Sequence, residues 1–295
     1  MNWFLFHIIL KPLSYVPLWL LYRLSDLVAP LLYHVVRYRR KVTRTNLVKS
    51  FPEKSLKEIK KLERQYYRHL SDLFVEAING LSCSKSEVMR RYRIVNREVV
   101  NRYYEEGKSV VLMSAHHNNW EYMVLSINLQ LRHHGIGVGK PLNNKGFGKY
   151  LHRARIRYGD EIVDQTNVRK VMAYYDQYHV PCAYMMLSDQ SPSNAKKCFW
   201  ADFLHQDTAF LYGAEHFSRK YNYAVLYYEV RKKKRGRYDV ILSELCPDPS
   251  QAPEGSITLE YIKRLESLIQ NQPQYWLWSH KRWKLDRNGR KKHYC

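Results

Sequence analysis

The chain has 295 residues, and its 49 lysine and arginine residues against 27 aspartate and glutamate residues give a formal net charge of +22. A charge of this sign predicts anionic partners, namely nucleic acid, acidic lipid or an acidic carrier protein. Five cysteines without a C-x-x-C pair argue against a disulfide framework and a zinc site, and they predict a reducing compartment.

Residues 1–36 are predicted to form an N-terminal membrane anchor or a set of interfacial helices. The segment is apolar, but its longest uncharged run, from Pro12 to Tyr22, falls short of the roughly 20 apolar residues that a spanning helix needs. No small-residue cleavage site follows it, so a removable signal peptide is not expected. The basic sequence RYRRKVTR at 37–44 predicts that this flank faces the cytoplasm. The alternative is a set of buried core helices followed by a solvated basic linker.

The remaining chain, 37–295, shows the alternation of an α/β domain. Apolar residues recur at helical spacing over 55–79 and predict an amphipathic helix there. Six strand-like runs follow, at 109–114, 135–139, 161–164, 181–187, 224–230 and 238–245. Helix-length segments lie between them, around 119–132, 145–158, 167–178 and 208–221. This order predicts a mostly parallel central sheet flanked by helices and ending in an antiparallel pair, with Gly236 in its turn.

The C-terminal segment is both aromatic and basic, with Trp276, Trp278 and Trp283 among lysines and arginines. Such rings suit a membrane interface, and their density also favours packing against the rest of the chain. From about Asp286 onward we expect a solvated terminus.

The sequence VVLMSAHHNNWEYMVL at 110–125 carries the main candidate for chemistry. If VVLM is a strand and the next helix begins near Asn118 or Asn119, both good N-caps, His116 lies on the turn and Glu121 in the first helical turn. The two side chains then meet at the carboxyl end of the sheet, where α/β domains place their sites. A carboxylate bonded to one imidazole nitrogen leaves the other free as a base. The alternative is a structural histidine and a glutamate that complements the helix dipole.

HHNNWE resembles the H-x-x-x-x-[DE] motif of glycerolipid acyltransferases, in the form of the bacterial lipid A biosynthesis acyltransferases, the late lauroyl and myristoyl transferases. The resemblance begins with the apolar start and RYRRKVTRTNLVKSFPEKS, and it continues in order and approximate spacing. The later matching pieces are KPLNN at 140–144, SDQSPS at 188–193, the segment 203–240 and QPQYWLWSHKRWK at 272–284. It therefore covers almost the whole chain.

This resemblance implies an acyltransferase that moves a fatty acyl chain from acyl carrier protein to a hydroxyl of a lipid A precursor, in late secondary acylation, without a cofactor. His116 is then the general base, and Glu121 orients it. The implied location is the cell inner membrane, with the catalytic domain on the cytoplasmic face at an anionic membrane surface. The candidates for substrate binding are Asn119, Lys140, Arg155, Asp189, Gln190 and Arg231.

The chain departs from the family pattern at two positions. Asn118 stands where the family usually has glycine, and asparagine tolerates the left-handed backbone that such a turn needs. His117 replaces Phe or Tyr, which predicts a packing role. The alternative for Asp189 is a structural role in a turn, and the alternative for Arg231 is a position in a solvated hairpin.

Three alternatives accompany this interpretation. An acyltransferase for a glycerophospholipid or an aminolipid is the rival among enzymes, although the chain has Glu121 rather than the commoner Asp and lacks an E-G-T-R box. A basic membrane-binding or nucleic-acid-binding protein is the rival of another class, but no RNP, zinc-knuckle or helix-turn-helix signature is present, so no nucleic acid partner is expected. A metal site is not predicted either, because HHNNWE lacks the two same-face histidines of H-E-x-x-H.

Overall fold

The apolar runs of the sequence form nine β-strands in a computed structural model that describes residues 4–140, 145–195 and 198–290. Seven of these strands make one sheet, and two make a separate hairpin. In chain order the strands are β1 Tyr92–Ile94, β2 Val110–Ser114, β3 His134–Gly139, β4 Glu161–Asp164, β5 Cys182–Leu187, β6 Phe199–Phe203, β7 Gln206–Phe210, β8 Ala224–Lys234 and β9 Arg237–Cys246.

The larger sheet has the strand order β1-β9-β8-β2-β5-β3-β4. Among its described strands, β8 and β9 pair antiparallel and the other five neighbouring pairs are parallel. The central strand β2 is buried at all five positions, as expected for a parallel strand that is covered on both faces. Gly236 has φ +70° in the turn between β8 and β9. The predicted α/β class and the closing antiparallel pair are confirmed.

Helices pack on both faces of this sheet, and alternate residues of β2 enter two separate apolar clusters: Val111 and Met113 in one, Val110 and Leu112 in the other. In chain order the described α-helices are α1 Lys11–Ser14, α2 Leu18–Pro30, α3 Arg40–Ser50, α4 Leu56–Asn79, α5 Lys85–Arg91, α6 Glu98–Glu105, α7 Trp120–Gln130, α8 Lys145–Ile156, α9 Val168–Gln177, α10 Gly213–Tyr221 and α11 Ser256–Asn271. Wider π-helical turns run over Leu5–Leu10 and Leu31–Val35, and a 3-10 turn over Pro273–Tyr275.

Helix α4 is the amphipathic helix that the spacing over 55–79 predicts. Its first turn is closed by a capping box: the backbone N–H of Glu58 donates to the Ser55 hydroxyl at 3.3 Å, and the backbone N–H of Ser55 donates to the Glu58 carboxylate at 2.8 Å. One face of α4 is buried against the main core through Leu62, Tyr66 and Leu70.

The N-terminal helices lie against α4 through polar contacts as well as apolar ones. The Tyr22 hydroxyl of α2 donates to buried Glu76 at 2.7 Å, and the Ser25 hydroxyl donates to Asp72 at 2.8 Å. Arg235, in the β8–β9 turn, bonds both Asp72 and Asp26. The buried carboxylates of α4 therefore hold α2 and the hairpin turn together.

The opposite side of the N-terminal segment is exposed and apolar. The exposed side chains include Ile8, Ile9, Trp19, Leu27 and Val35. Within the described chain, none of the helices taken singly has the length and hydropathy of a membrane span. The pair Leu5–Ser14 and Leu18–Val35 passes that test only together, and it is bent by 119° at the break.

One predicted helix has different bounds in the structure. The segment 208–221 was expected to be helical throughout, but Thr208, Ala209 and Phe210 belong to β7 and pair with β6, and the helix begins at Gly213. The β6–β7 turn is made by Leu204 and His205, both at positive φ. Because neither residue is a usual turn former, the local sequence does not predict this hairpin.

Candidate active site

His116 and Asp189 meet at the carboxyl edge of the two central parallel strands. Ser114 of β2 is in register with Leu187 of β5, so His116 and Asp189 each lie two residues beyond a paired position. The His116 ring nitrogen Nδ1 lies 2.7 Å from Asp189 Oδ1, and the His116 backbone N–H donates to Oδ2 at 3.0 Å. The strand register thus brings together two residues that are 73 positions apart.

A third donor reaches the same carboxylate. The indole N–H of Trp276 donates to Asp189 Oδ2 at 2.8 Å. Burial by itself would raise the pKa of Asp189, but the His116 charge and the hydrogen bonds from His116 and Trp276 outweigh it and lower that pKa to about 2. The carboxylate is therefore ionised at neutral pH, and it fixes the proton of a neutral His116 ring on Nδ1.

The other ring nitrogen of His116 contacts Gln190, which directly follows Asp189. The side-chain amide nitrogen of Gln190 lies 3.0 Å from His116 Nε2. Trp120 packs edge-on against the ring at 5.2 Å between centroids. The His116 side chain keeps 15% of its surface exposed, so a reactant can reach it.

Glu121 has a different partner from the one that the sequence predicts. Its carboxylate forms a bidentate pair with Arg155 of α8, at 2.7 Å from Nη2 to Oε1 and 3.1 Å from Nε to Oε2. The carboxylate that bonds His116 is Asp189. In this structure the orienting contact expected of Glu121 is therefore made by Asp189, and the Glu121–Arg155 pair joins α7 to α8.

A cleft of about 320 Å³ lies beside these residues, and its lining includes both Glu121 and Gln190. One wall is apolar and comes from four residues of α4: Leu70, Leu73, Phe74 and Ala77. Trp120 and Leu277 extend that wall, while Tyr38, Arg39, Ser279 and His280 add polar groups. A cleft with an apolar wall and a few polar groups suits a ligand that carries a hydrocarbon chain.

The turn that carries His116 is held by the segment 272–285, called here the C-terminal strap. The Asn118 backbone N–H donates to the Tyr275 carbonyl at 3.0 Å, and the Leu277 N–H donates to the His116 carbonyl at 3.1 Å. Within the strap Trp276, Trp278 and Trp283 are buried. Their rings pack inside the protein, as their density predicts, and do not lie at an outer interface.

Asn118 adopts the left-handed backbone expected of the glycine that it replaces, with φ +56°. Its side-chain amide donates to the Val230 carbonyl at 2.8 Å. His117 is buried and bonds the Gln272 carbonyl at 3.2 Å, and burial lowers its pKa to about 4. His117 therefore packs as a neutral ring, as predicted.

The remaining predicted site residues fall in three places. Asn119 is the N-cap of α7: its side-chain oxygen accepts from the Tyr122 N–H at 2.9 Å, and its amide donates to Glu76 at 2.5 Å. Lys140 is exposed after β3, and the rest of KPLNN, residues 141–144, lies outside the described residues. Arg231 is exposed on β8 and pairs with Glu229 at 2.5 Å. Neither Lys140 nor Arg231 lines the cleft.

Trp276 is the site residue that sequence reasoning missed. The aromatic strap is visible in the sequence, but no local spacing links it to an aspartate 87 residues earlier. Over the described ranges, no group of three His, Cys, Asp or Glu side chains is arranged to hold a metal ion.

A family model described as bacterial lipid A biosynthesis acyltransferase matches residues 1–285 of the chain. No curated protein was found to match it. The family match thus includes the N-terminal helices, the sheet with its histidine turn, and the strap.

Proposed function

The chain belongs to the bacterial lipid A biosynthesis acyltransferase family, and from this membership we propose that it carries out late acylation of a lipid A precursor, with acyl carrier protein as the donor. The enzyme is an acyltransferase. The observation that supports the finer proposal is the contact of partly exposed His116 with buried Asp189 beside an apolar cleft.

In the proposed reaction His116 is the general base. Its Nε2 takes the proton from the acceptor hydroxyl while the oxygen attacks the carbonyl carbon of the donor thioester. The tetrahedral intermediate collapses, the C–S bond breaks, and the departing sulfur takes the proton from His116. Asp189 holds the ring in one tautomer and stabilises the imidazolium that forms. Proton transfer by a positioned base contributes roughly 10²–10⁴-fold to the rate.

Glu121 and Arg155 take a supporting part in this proposal. Their bidentate pair fixes the cleft-lining start of α7 against α8, and such forked pairs hold geometry well. The acyl chain of the donor lies along Leu70, Phe74 and Ala77, and exposed Arg39 stands at the polar end of the cleft. A guanidinium there suits the acidic carrier or an acceptor phosphate.

We also propose that the exposed apolar side of residues 4–36 rests in a membrane. Trp19, Leu27 and Val35 are each at least two-thirds exposed, and a set of such residues on one side is costly in water. Basic residues at 37–44 flank this side, as expected on the cytoplasmic face of the cell inner membrane.

The test is transfer of labelled acyl groups from acyl carrier protein to a tetra-acylated lipid A precursor by the full chain in detergent micelles. We expect His116→Ala to lose at least 100-fold in rate, consistent with removal of a general base. His216→Ala is the matched control, because His216 is exposed on α10. Normal transfer by a folded His116→Ala variant would refute the assignment of the base.

The acceptor is tested in parallel with a lysophospholipid and an aminolipid. Transfer to one of these alone would show that the acceptor class is wrong while leaving the acyltransferase chemistry intact. Salt-sensitive binding of nucleic acid without any acyl transfer would instead favour the binding-protein alternative.

A further inference from the structure

The base nitrogen of His116 is already occupied in the resting site. Because Asp189 accepts a hydrogen bond from Nδ1–H, a neutral ring has its lone pair on Nε2. The amide nitrogen of Gln190 lies 3.0 Å from that atom, so the Gln190 N–H donates to the lone pair that the proposed reaction uses. A substrate hydroxyl has to displace this amide before its own proton can be taken.

Gln190 is placed so that its side chain can move while its backbone stays fixed. On one side Asp189 is buried and held by three hydrogen bonds. On the other side the Ser191 N–H donates to the His280 ring at 3.2 Å. Gln190 itself is partly exposed and lines the cleft.

The reaction also needs a donor for the developing oxyanion, and two candidates near His116 are engaged in other contacts. The Asn118 backbone N–H, on the turn that carries His116, donates to the Tyr275 carbonyl. The Arg155 guanidinium is paired with Glu121. A carbonyl under attack by a hydroxyl at Nε2 lies next to that hydroxyl, within reach of the displaced Gln190 amide.

We propose that Gln190 is a catalytic hydrogen-bond donor that changes partners during the reaction, from His116 Nε2 in the resting site to the thioester oxygen in the transition state. This inference rests on the proposed acyl transfer. The proton passes from the hydroxyl to Nε2 as the C–O bond forms. The carbonyl π electrons move to the oxygen bonded by Gln190, and they return when the C–S bond breaks and the thiolate takes the proton. No further reactant is required.

Two variants of similar length separate donation from packing. Gln190→Met keeps an unbranched chain without a donor, and Gln190→Glu places an acceptor-only carboxylate there at neutral pH. Both should lower kcat by about 10²–10³-fold, as loss of one oxyanion donor does, with KM for the acyl carrier changed much less. Gln177→Met is the control, since Gln177 is exposed at the end of α9, which leads to the opposite edge of the sheet.

A second measurement does not depend on the acceptor. In the ¹⁵N spectrum of histidine-labelled protein in alkaline buffer, loss of the donor should move the His116 Nε2 resonance in Gln190→Met and leave it in place in Gln177→Met. An unmoved resonance, or full transfer by Gln190→Met, would overturn the role of Gln190. Failure of the unsubstituted protein to acylate lipid A precursor, with the resonance shift present, would refute the proposed acceptor but leave the resting contact established.

Discussion

At the scale of single residues, three donors from two distant parts of the chain converge on Asp189: the His116 ring, the His116 backbone and the Trp276 indole. A carboxylate that is 2% exposed is costly to bury unless it is hydrogen-bonded and paired. The convergence offsets that cost, and it fixes the ring of His116 in both position and tautomer.

Replacing Asp189 by Asn tests this arrangement. The amide keeps the shape of the side chain, but it cannot stabilise an imidazolium and it favours the wrong tautomer. We expect the transfer rate to fall by about 10²–10⁴-fold, as measured with the labelled carrier. Asp207→Asn, which alters only an exposed pair with Arg287, should transfer normally; an Asp189→Asn rate within threefold of the unsubstituted protein would contradict the role.

A double-mutant cycle tests whether Glu121 and Arg155 act as one unit. Glu121→Gln and Arg155→Met each break the same bidentate pair, so the double variant should lose little more than either single variant. The expected coupling is about 1–3 kcal/mol in the activation free energy of transfer. Arg132→Met, which breaks an exposed pair with Glu105, is the control, and additive losses in the cycle would show that the two residues act separately.

The sequence predicts the turn that carries His116, but it does not predict which carboxylate contacts the ring. The strand-to-helix turn follows from local pattern, whereas the choice between Glu121 and Asp189 depends on which strand lies beside β2. Strand order is a property of the whole sheet, and a carboxylate 73 residues away is closer in space than one five residues away. Asn118 shows the converse, because the glycine that the family usually has at its position leads one to expect the left-handed backbone seen there.

At the scale of elements, α4 connects the N-terminal helices to the site. Asp72 and Glu76 on its buried face contact α2, and Glu76 also accepts from the Asn119 cap of α7 at 2.5 Å. The β8–β9 turn joins the same network through Arg235. The position of the histidine turn is thus tied to that of α2 by side chains from one helix.

Arg235→Met should loosen this network. Asp72 is buried, and it loses its main counter-charge while Asp26 loses a forked partner. We expect the free energy of unfolding to fall by about 2–4 kcal/mol, because a buried carboxylate is left without its main partner. The partial exposure of Arg235 keeps the loss below that of a fully buried pair. Tryptic cleavage at exposed Arg23 of α2 should also become faster.

Lys234→Met is the matched control for Arg235, since Lys234 is its exposed neighbour. An Arg235→Met variant that unfolds and is cleaved like Lys234→Met would show that the turn does not hold α2.

Periodicity located the long elements, and it failed where short ones depend on tertiary contacts. Helix α4 and strands β2, β5 and β8 carry their own patterns. The β6–β7 hairpin turns through Leu204 and His205 at positive φ, a conformation that packing must impose on such residues. The three-residue strand β1 is likewise defined only by its pairing with β9.

At the scale of the whole molecule, the protein carries a net charge of +22 with its histidines counted as neutral. Three largely buried histidines are neutral in the folded state. Burial lowers the pKa of His117, His133 and His280 to about 4 each. The unfolded chain binds protons at these residues near pH 6.5, so between that pH and about 4 it holds more protons than the folded chain. Stability therefore rises with pH across this window.

We expect the free energy of unfolding to drop by on the order of several kcal/mol as the pH falls from 6.5 to 4. Denaturant titrations at fixed ionic strength measure this drop. His133→Asn keeps a donor for the Lys108 carbonyl, which His133 bonds at 3.0 Å, and it should reduce the slope. A slope that His133→Asn leaves unchanged would show that the His133 ring is not neutral in the folded state.

The hydrogen bonds between the histidine turn and the C-terminal strap have a consequence for biosynthesis. His116, Asp189 and Gln190 all leave the ribosome before Tyr275, Trp276 and Leu277, so the growing chain carries its reactive groups well before the backbone that holds them. A chain terminated before the strap lacks the Trp276 donor and three hydrogen bonds to the turn, which involve Gln272, Tyr275 and Leu277. The geometry around His116 and Asp189 is therefore completed only near the end of translation, and we expect a stop codon before Tyr275 to be as damaging as the loss of His116.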